Sequence, residues 1–180
     1  MPADVATAPR PSRPRPPTSP RPAVDRVGRH PARQLGRELA ALTGRNRAVV
    51  LLADLTDGTE LDRYVDGPRP GPIDGDALLA LVLPTEPTVC DPARLHEPSL
   101  RLLARRWRTD RLLVAPCTFG HLLVALAIVA IAPDADPHVV VRAARPLCER
   151  FAVAVVGTRL FANSRDFTLE DDSSPFTADA

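Results

Sequence analysis

The chain has 180 residues, a formal net charge of +1 and 44% hydrophobic content, enough for one domain with a sizeable core plus tails. A near-neutral balance gives the chain as a whole no polyanion partner, so nucleic acid is not expected. All 23 basic residues are arginine, beside 21 prolines and abundant alanine; this reads as the coding bias of a GC-rich genome and discounts any case built on arginine abundance alone.

Residues 1–23 are rich in proline and arginine, with Asp4 their one acid, and are expected to be a disordered tail with polyproline-II character. They contain no apolar h-region, so they do not read as a secretory signal, and a cytoplasmic location is expected. From Val24 a helical pattern begins, with Leu35, Leu39 and Leu42 on one face and Gly44 as its stop. Asn46–Asp54, containing AVVLLA, reads as a buried strand, Thr56-Asp57-Gly58-Thr59 as a hairpin turn, and Glu60–Asp66 as a half-exposed strand near an edge. Gly67–Gly75 is a loop by its prolines and glycines. Asp76–Leu83 reads as a short buried helix ended by Pro84, Thr88–Cys90 as a short strand, Asp91–Pro98 as irregular, and Ser99–Arg108 as an amphipathic helix with Leu100, Leu103 and Trp107 inward.

The apolar stretch Arg111–Ala132, RLLVAPCTFGHLLVALAIVAIA, carries no formal charge between Arg111 and Asp134. Its length approaches that of a membrane span. Pro116, Thr118, Gly120 and His121 interrupt it, and its β-branched arms favour strands. It therefore reads as a central β-hairpin buried on both faces, with the turn at Pro116–Gly120, in a soluble protein. Asp136 is the expected N-cap of a closing helix with Pro137 at its first position. Val140, Ala144, Leu147, Phe151 and Val155 follow helical spacing toward the sheet, and Pro146 is expected to kink or restart the helix. Residues 164–180 are polar and acidic and are expected to be a second disordered tail.

The order of elements and four strings resemble the GAF domain family: RELAALTGRNRAVVLLAD, TEPTVCD, RLLVAPCTFGHLLVALAIV and LCERFAVAVVGTRLFA. The match covers residues 24–163. The resemblance implies an α+β (α/β-class) fold, a PAS-like antiparallel sheet with the N- and C-terminal helices on one face. Loops and short helices on the other face would cover a small-molecule pocket. It further implies a non-enzymatic regulatory or sensory module that binds a small ligand or a signalling partner protein. Tyr64, Cys90, His96, Arg101, Arg105 and Trp107 are the candidate ligand-binding residues. The family's cyclic-nucleotide signature is missing, no Cys-His pair suggests a bilin attachment site, and no cofactor is identified. No kinase, helix-turn-helix or RNA-binding module follows Asn163 in this sequence.

One stand-alone branch of that family, the free methionine-(R)-sulfoxide reductases, uses two thiols that meet near the pocket. Cys90, Cys117 and Cys148 are widely spaced, and the pocket loop Pro72–Ala77 has no cysteine, so three reduced thiols are expected rather than an active site, a zinc site or a disulfide framework. His30, His96, His121 and His138 have no metal-ligand spacing, and no P-loop, dinucleotide or nucleophile-elbow motif occurs. The densest basic patch is Arg101, Arg105, Arg106, Arg108 and Arg111 around Trp107. It would suit an anionic ligand or an acidic partner, or be a solvated helix face. Apolar residues left off the sheet-facing sides, namely Val139, Ala143, Val153 and Val156 on the last helix and Val24, Val27 and Ala40 on the first, predict a homodimer through these two helices. A third possibility is a GAF fold kept only as such a dimerisation unit.

Overall fold

The computed structural model describes residues 29–170 except 69, 71, 81–84 and 95–96. The expected tail at 1–23, the acidic residues after 170, Val24, Val27 and the candidate His96 lie outside the described residues. In chain order the elements are α1 (Arg29–Thr43), β1 (Ala48–Ala53), β2 (Glu60–Asp66), α2 (Gly75–Leu79), β3 (Thr88–Cys90), a 3-10 turn Pro92–Arg94, α3 (Pro98–Trp107), β4 (Leu112–Phe119), β5 (Leu122–Ala130) and α4 (Pro137–Glu170).

The strands form one antiparallel sheet in the order β2-β1-β5-β4-β3. Its centre is made from the unbroken apolar runs, because β1, β5 and most of β4 must be covered on both faces. Strand periodicity divides them cleanly. Ala48, Val50, Leu52, Leu113, Ala115, Ala127 and Val129 pack under α1 and α4. Val49, Leu51, Leu112, Val114, Leu126 and Ile128 pack under α2 and α3. Among the described residues, no helix is long and apolar enough to cross a membrane.

The hairpin turn is shorter and later than the sequence suggests. β4 runs through Pro116 and Cys117 to Phe119, and only Gly120 and His121 separate it from β5. Gly120 turns the chain with φ +61, a conformation that costs a glycine little. Pro116 is tolerated in the strand because β3 pairs only with Leu112–Val114, so β4 is an edge by the time it reaches Pro116. A register shift follows at Cys117/Thr118.

The caps explain where the helices begin. Asp136 Oδ1 accepts from the His138 N–H at 2.8 Å, with Pro137 opening α4. Glu97 accepts from the Ser99 N–H at 2.9 Å ahead of α3. Asp74 caps α2, which starts at Gly75, one residue earlier than expected. Of the kink or restart expected at Pro146, the restart does not occur: the helix continues through it and past Asn163 to Glu170. Both Pro146 and Arg142, four residues before it, are exposed, so the carbonyl deprived of its helical donor faces water and not the core. Two apolar positions assigned to an outer face are instead core: Ala40 is buried on the inner side of α1, and Val156 is only 7% exposed.

Candidate functional site

Three surfaces contain the described candidate residues other than Tyr64. The first is the sheet face under α2 and α3. Trp107, Leu103 and Leu78 are fully buried there, and Leu79, Leu100, Ile73 and Ala104 join them against β1, β4 and β5. The chain's own side chains thus pack directly over the face where the family resemblance expects a ligand. Trp107 is a core residue rather than a lining one, and its indole Nε1 has no hydrogen-bond partner among the described residues. Cys90 is half-buried beside this layer, and burial raises its thiol above the ordinary 9.0.

Tyr64 does not join them. It lies on β2 and packs with the α1–α4 layer, its ring against Gly36. The sheet separates it from Trp107. It lines a different cleft, between α1 and β2, with Arg33, Arg37, Asp62 and Asp66.

The second surface is an open cleft of about 570 Å³ at the C-terminal end of α3, lined by Arg45, Asp91, Pro92, Ala93, Arg101, Ala104, Arg105, Arg108, Thr109, Asp110 and Pro133. It unites Arg101 and Arg105 as expected, and adds Arg45 and Asp110, which sequence spacing had not connected. Four arginines against two aspartates leave its lining with a net charge of +2. Asp91 is also engaged outside this set, by Arg94 at 3.3 Å.

The basic patch seen in the sequence divides by task. Arg106 donates to the Pro70 carbonyl at 2.6 Å and so holds the loop before α2. Arg111 donates to the carbonyls of Ala132, Pro133 and Ala135, fastening the link between β5 and α4. Arg47 donates to the Trp107 carbonyl, and Arg45 to that of Arg108 at 3.4 Å. These four arginines cap or staple backbone. Arg105 and Arg108 are exposed, and among the described residues neither side chain has an ion-pair partner.

The third surface is the α1–α4 face. Val139 and Val153 are 57% and 59% exposed, Ala143 is half-buried, and Val156 is not available. Between the helices runs a groove of about 230 Å³, lined by Leu35, Leu147, Phe151 and Ala154 with Glu38 and Arg150 at its edge. Under α4, Cys117 of β4 and Cys148 meet in the core. A hydrogen bond with Cys148 and burial hold the Cys117 thiol well above 9.0. Both thiols are core groups of the α1–α4 side, away from α2 and α3. Among the described residues, no three His, Cys, Asp or Glu side chains come together as a metal site.

No family model and no curated protein matches the chain. Solved structures do match over nearly its whole described length. A domain of a protein described as a two-component sensor histidine kinase from Sinorhizobium meliloti aligns with TM-score 0.57 and 14% identity, covering 81% of this chain and 99% of that one. The blue-light absorbing form of the PixJ GAF domain from Thermosynechococcus elongatus aligns with TM-score 0.54 and 15% identity, covering 87% and 100%. The GAF domain/HD domain protein from Geobacter sulfurreducens aligns with TM-score 0.50 and 18% identity, covering 77% and 95%. The fold of this chain is GAF-like, an α+β antiparallel sheet with helices on both faces.

Proposed function

We propose that this GAF-like domain is a non-enzymatic regulatory module that works as a homodimer, pairing through α1 and α4 and passing a binding event along α4. The observation that carries the reading is the outward stripe of α4. Val139, Pro146 and Val153 recur one heptad apart, and all three are exposed. Water is a poor neighbour for such a stripe, and a parallel helix seam is the simplest cover for it. α4 has 34 residues, a rod of roughly 50 Å, longer than the sheet needs. The fold shared with a sensor-kinase domain and a photoreceptor domain supports a sensory role.

Thiol-based reduction of methionine sulfoxide has one observation in its favour, the meeting of Cys117 and Cys148. Their burial and the raised Cys117 thiol disfavour the thiolate that attack requires.

Sedimentation of the full chain tests the proposal. A dimer is expected at about 10 μM, in the affinity range of a modest interface. Replacing Val139→Glu and Val153→Glu together should give a folded monomer. Val156 is excluded from the test because a charge there would enter the core. A monomeric unmodified chain, or a double variant that still pairs, refutes the reading.

A further inference from the structure

We propose that the cleft at the C-terminal end of α3 is a binding site for a small phosphate ester carrying two or more negative charges, gripped by Arg101, Arg105 and Arg108. The site gives the regulatory module a ligand class. It shares no residue with the outward stripe of α4, and its test reads binding and not pairing, so either proposal can fail alone.

Arginines at a helix C-terminus ordinarily answer the helix dipole and its free carbonyls. That explanation does not use up Arg105 and Arg108. The Ala104 carbonyl accepts from the Thr109 N–H at 3.0 Å, and that of Arg105 from the Arg108 N–H at 3.2 Å. The carbonyls of Trp107 and Arg108 are taken by Arg47 and Arg45. The guanidinium groups of Arg105 and Arg108 are therefore not spent on closing α3.

Arg108 adds an independent sign. Its backbone is left-handed, φ 51 and ψ 52, and it is the only non-glycine residue with positive φ among the described residues. Glycine fills this post-helical position with least strain. An arginine there bears a conformational cost that no ion pair among the described residues offsets. Such strain is a reason to look for a ligand.

The cleft's size and lining specify the ligand further. About 570 Å³ falls within the range of small-molecule sites and is generous for a bare phosphate. Guanidinium forks match phosphate oxygens two at a time, and several forks around one cleft suit an anion of more than one charge. Pro92, Ala93, Ala104 and Pro133 offer an apolar surface for the rest of the molecule. Asp91 and Asp110 would repel a second anionic end and accept hydrogen bonds from hydroxyl or amino groups.

The full chain has one tryptophan, Trp107, directly preceding Arg108, so its fluorescence and calorimetry together can follow titration with ADP, pyrophosphate and adenosine. ADP and pyrophosphate should bind, adenosine should not, and added salt should weaken the binding. Arg105→Ala and Arg108→Gly should each reduce affinity about tenfold, while Arg142→Ala, an exposed change on α4, should not. Arg108→Gly separates binding from folding, because relief of the left-handed strain should leave its melting temperature equal or higher. Binding of ADP that is weakened by Arg108→Gly supports the site, and binding of pyrophosphate without ADP overturns the ester class. Absence of binding at about millimolar ligand, adenosine bound as well as ADP, equal affinity in all variants, or binding only of an acidic peptide or RNA overturns it.

Discussion

Cys117 shows how one buried group ties the core to solution conditions. Its thiol is held well above the ordinary 9.0, first by the hydrogen bond with Cys148 and then by burial; Cys90 is raised by burial alone. Above 9.0 the thiol of the unfolded chain loses its proton while that of the folded chain keeps it. The unfolded state then binds fewer protons, so stability falls as pH rises. This contribution is fully present below 9.0 and is lost progressively above it, through the folded-state value. Urea denaturation should therefore give a flat stability from about pH 7 to 8.5 and a decline beyond. Cys117→Ala should lower neutral stability by about 1–2 kcal/mol through lost packing and make the alkaline decline shallower. An unchanged slope in that variant would mean that other groups drive it. The same residue marks the reach of sequence reading. Nothing in the spacing of Cys117 and Cys148 announces that they touch, because a strand and a helix bring them together across the sheet face.

At the scale of elements, α4 survives a proline because of where the damage falls. Pro146 removes one helical hydrogen bond, and both it and Arg142 face solvent. Pro146→Ala should restore that bond and raise stability by about 1–3 kcal/mol in denaturant titrations at fixed protein concentration. No gain would indicate that the turn around Pro146 has relaxed around the ring. The elements themselves are largely legible: unbroken apolar runs mark β1, β4 and β5, and apolar spacings alternating three and four residues mark α1 and α3. What failed was finer than periodicity. Proline and glycine punctuation points to a turn at Pro116–Gly120, but β3 is too short to forbid proline in that part of β4. The resemblance sets Tyr64 beside Trp107, but alternation along β2 does not say which side faces which layer, and the strand is half-buried along its whole length. Val153 and Val156 are alike as apolar leftovers in the sequence and neighbours on α4, one turn apart, yet the edge of the buried stripe runs between them, leaving one exposed and one core. In the cleft, Arg101, Arg105 and Arg108 could be read from a single helix. Arg45 and Asp110 come from two different connections and are brought there only by the fold.

The molecule as a whole is a sheet between two apolar layers, and that arrangement predicts how it opens. β1 is paired on both edges, by β2 and β5, and β5 by β1 and β4. Every residue of β1 is buried, and β5 is buried from Val124 onward. Exposing either strand requires removing both helix layers and both neighbouring strands. The periphery is different in kind. β3 pairs over three residues and on one edge only, α2 has five residues, and β2 is an edge strand half-exposed throughout. Local opening costs little where few buried contacts and few ladder bonds are lost. Native-state hydrogen exchange should therefore find the slowest amides in Val49–Leu52 and Ala125–Val129, with a free energy equal to that of global unfolding by denaturant. Amides of β2, β3 and α2 should exchange through smaller openings, by roughly 2 kcal/mol or more. Because the two layers share the strands between them, Leu39→Ala in one and Leu103→Ala in the other should each cost about 2–5 kcal/mol and lower the protection of the same central amides. If Leu103→Ala instead left the protection of β1 and β5 intact while α2 and α3 opened freely, the α2–α3 layer would be a separate cooperative unit and the single-core description would be wrong.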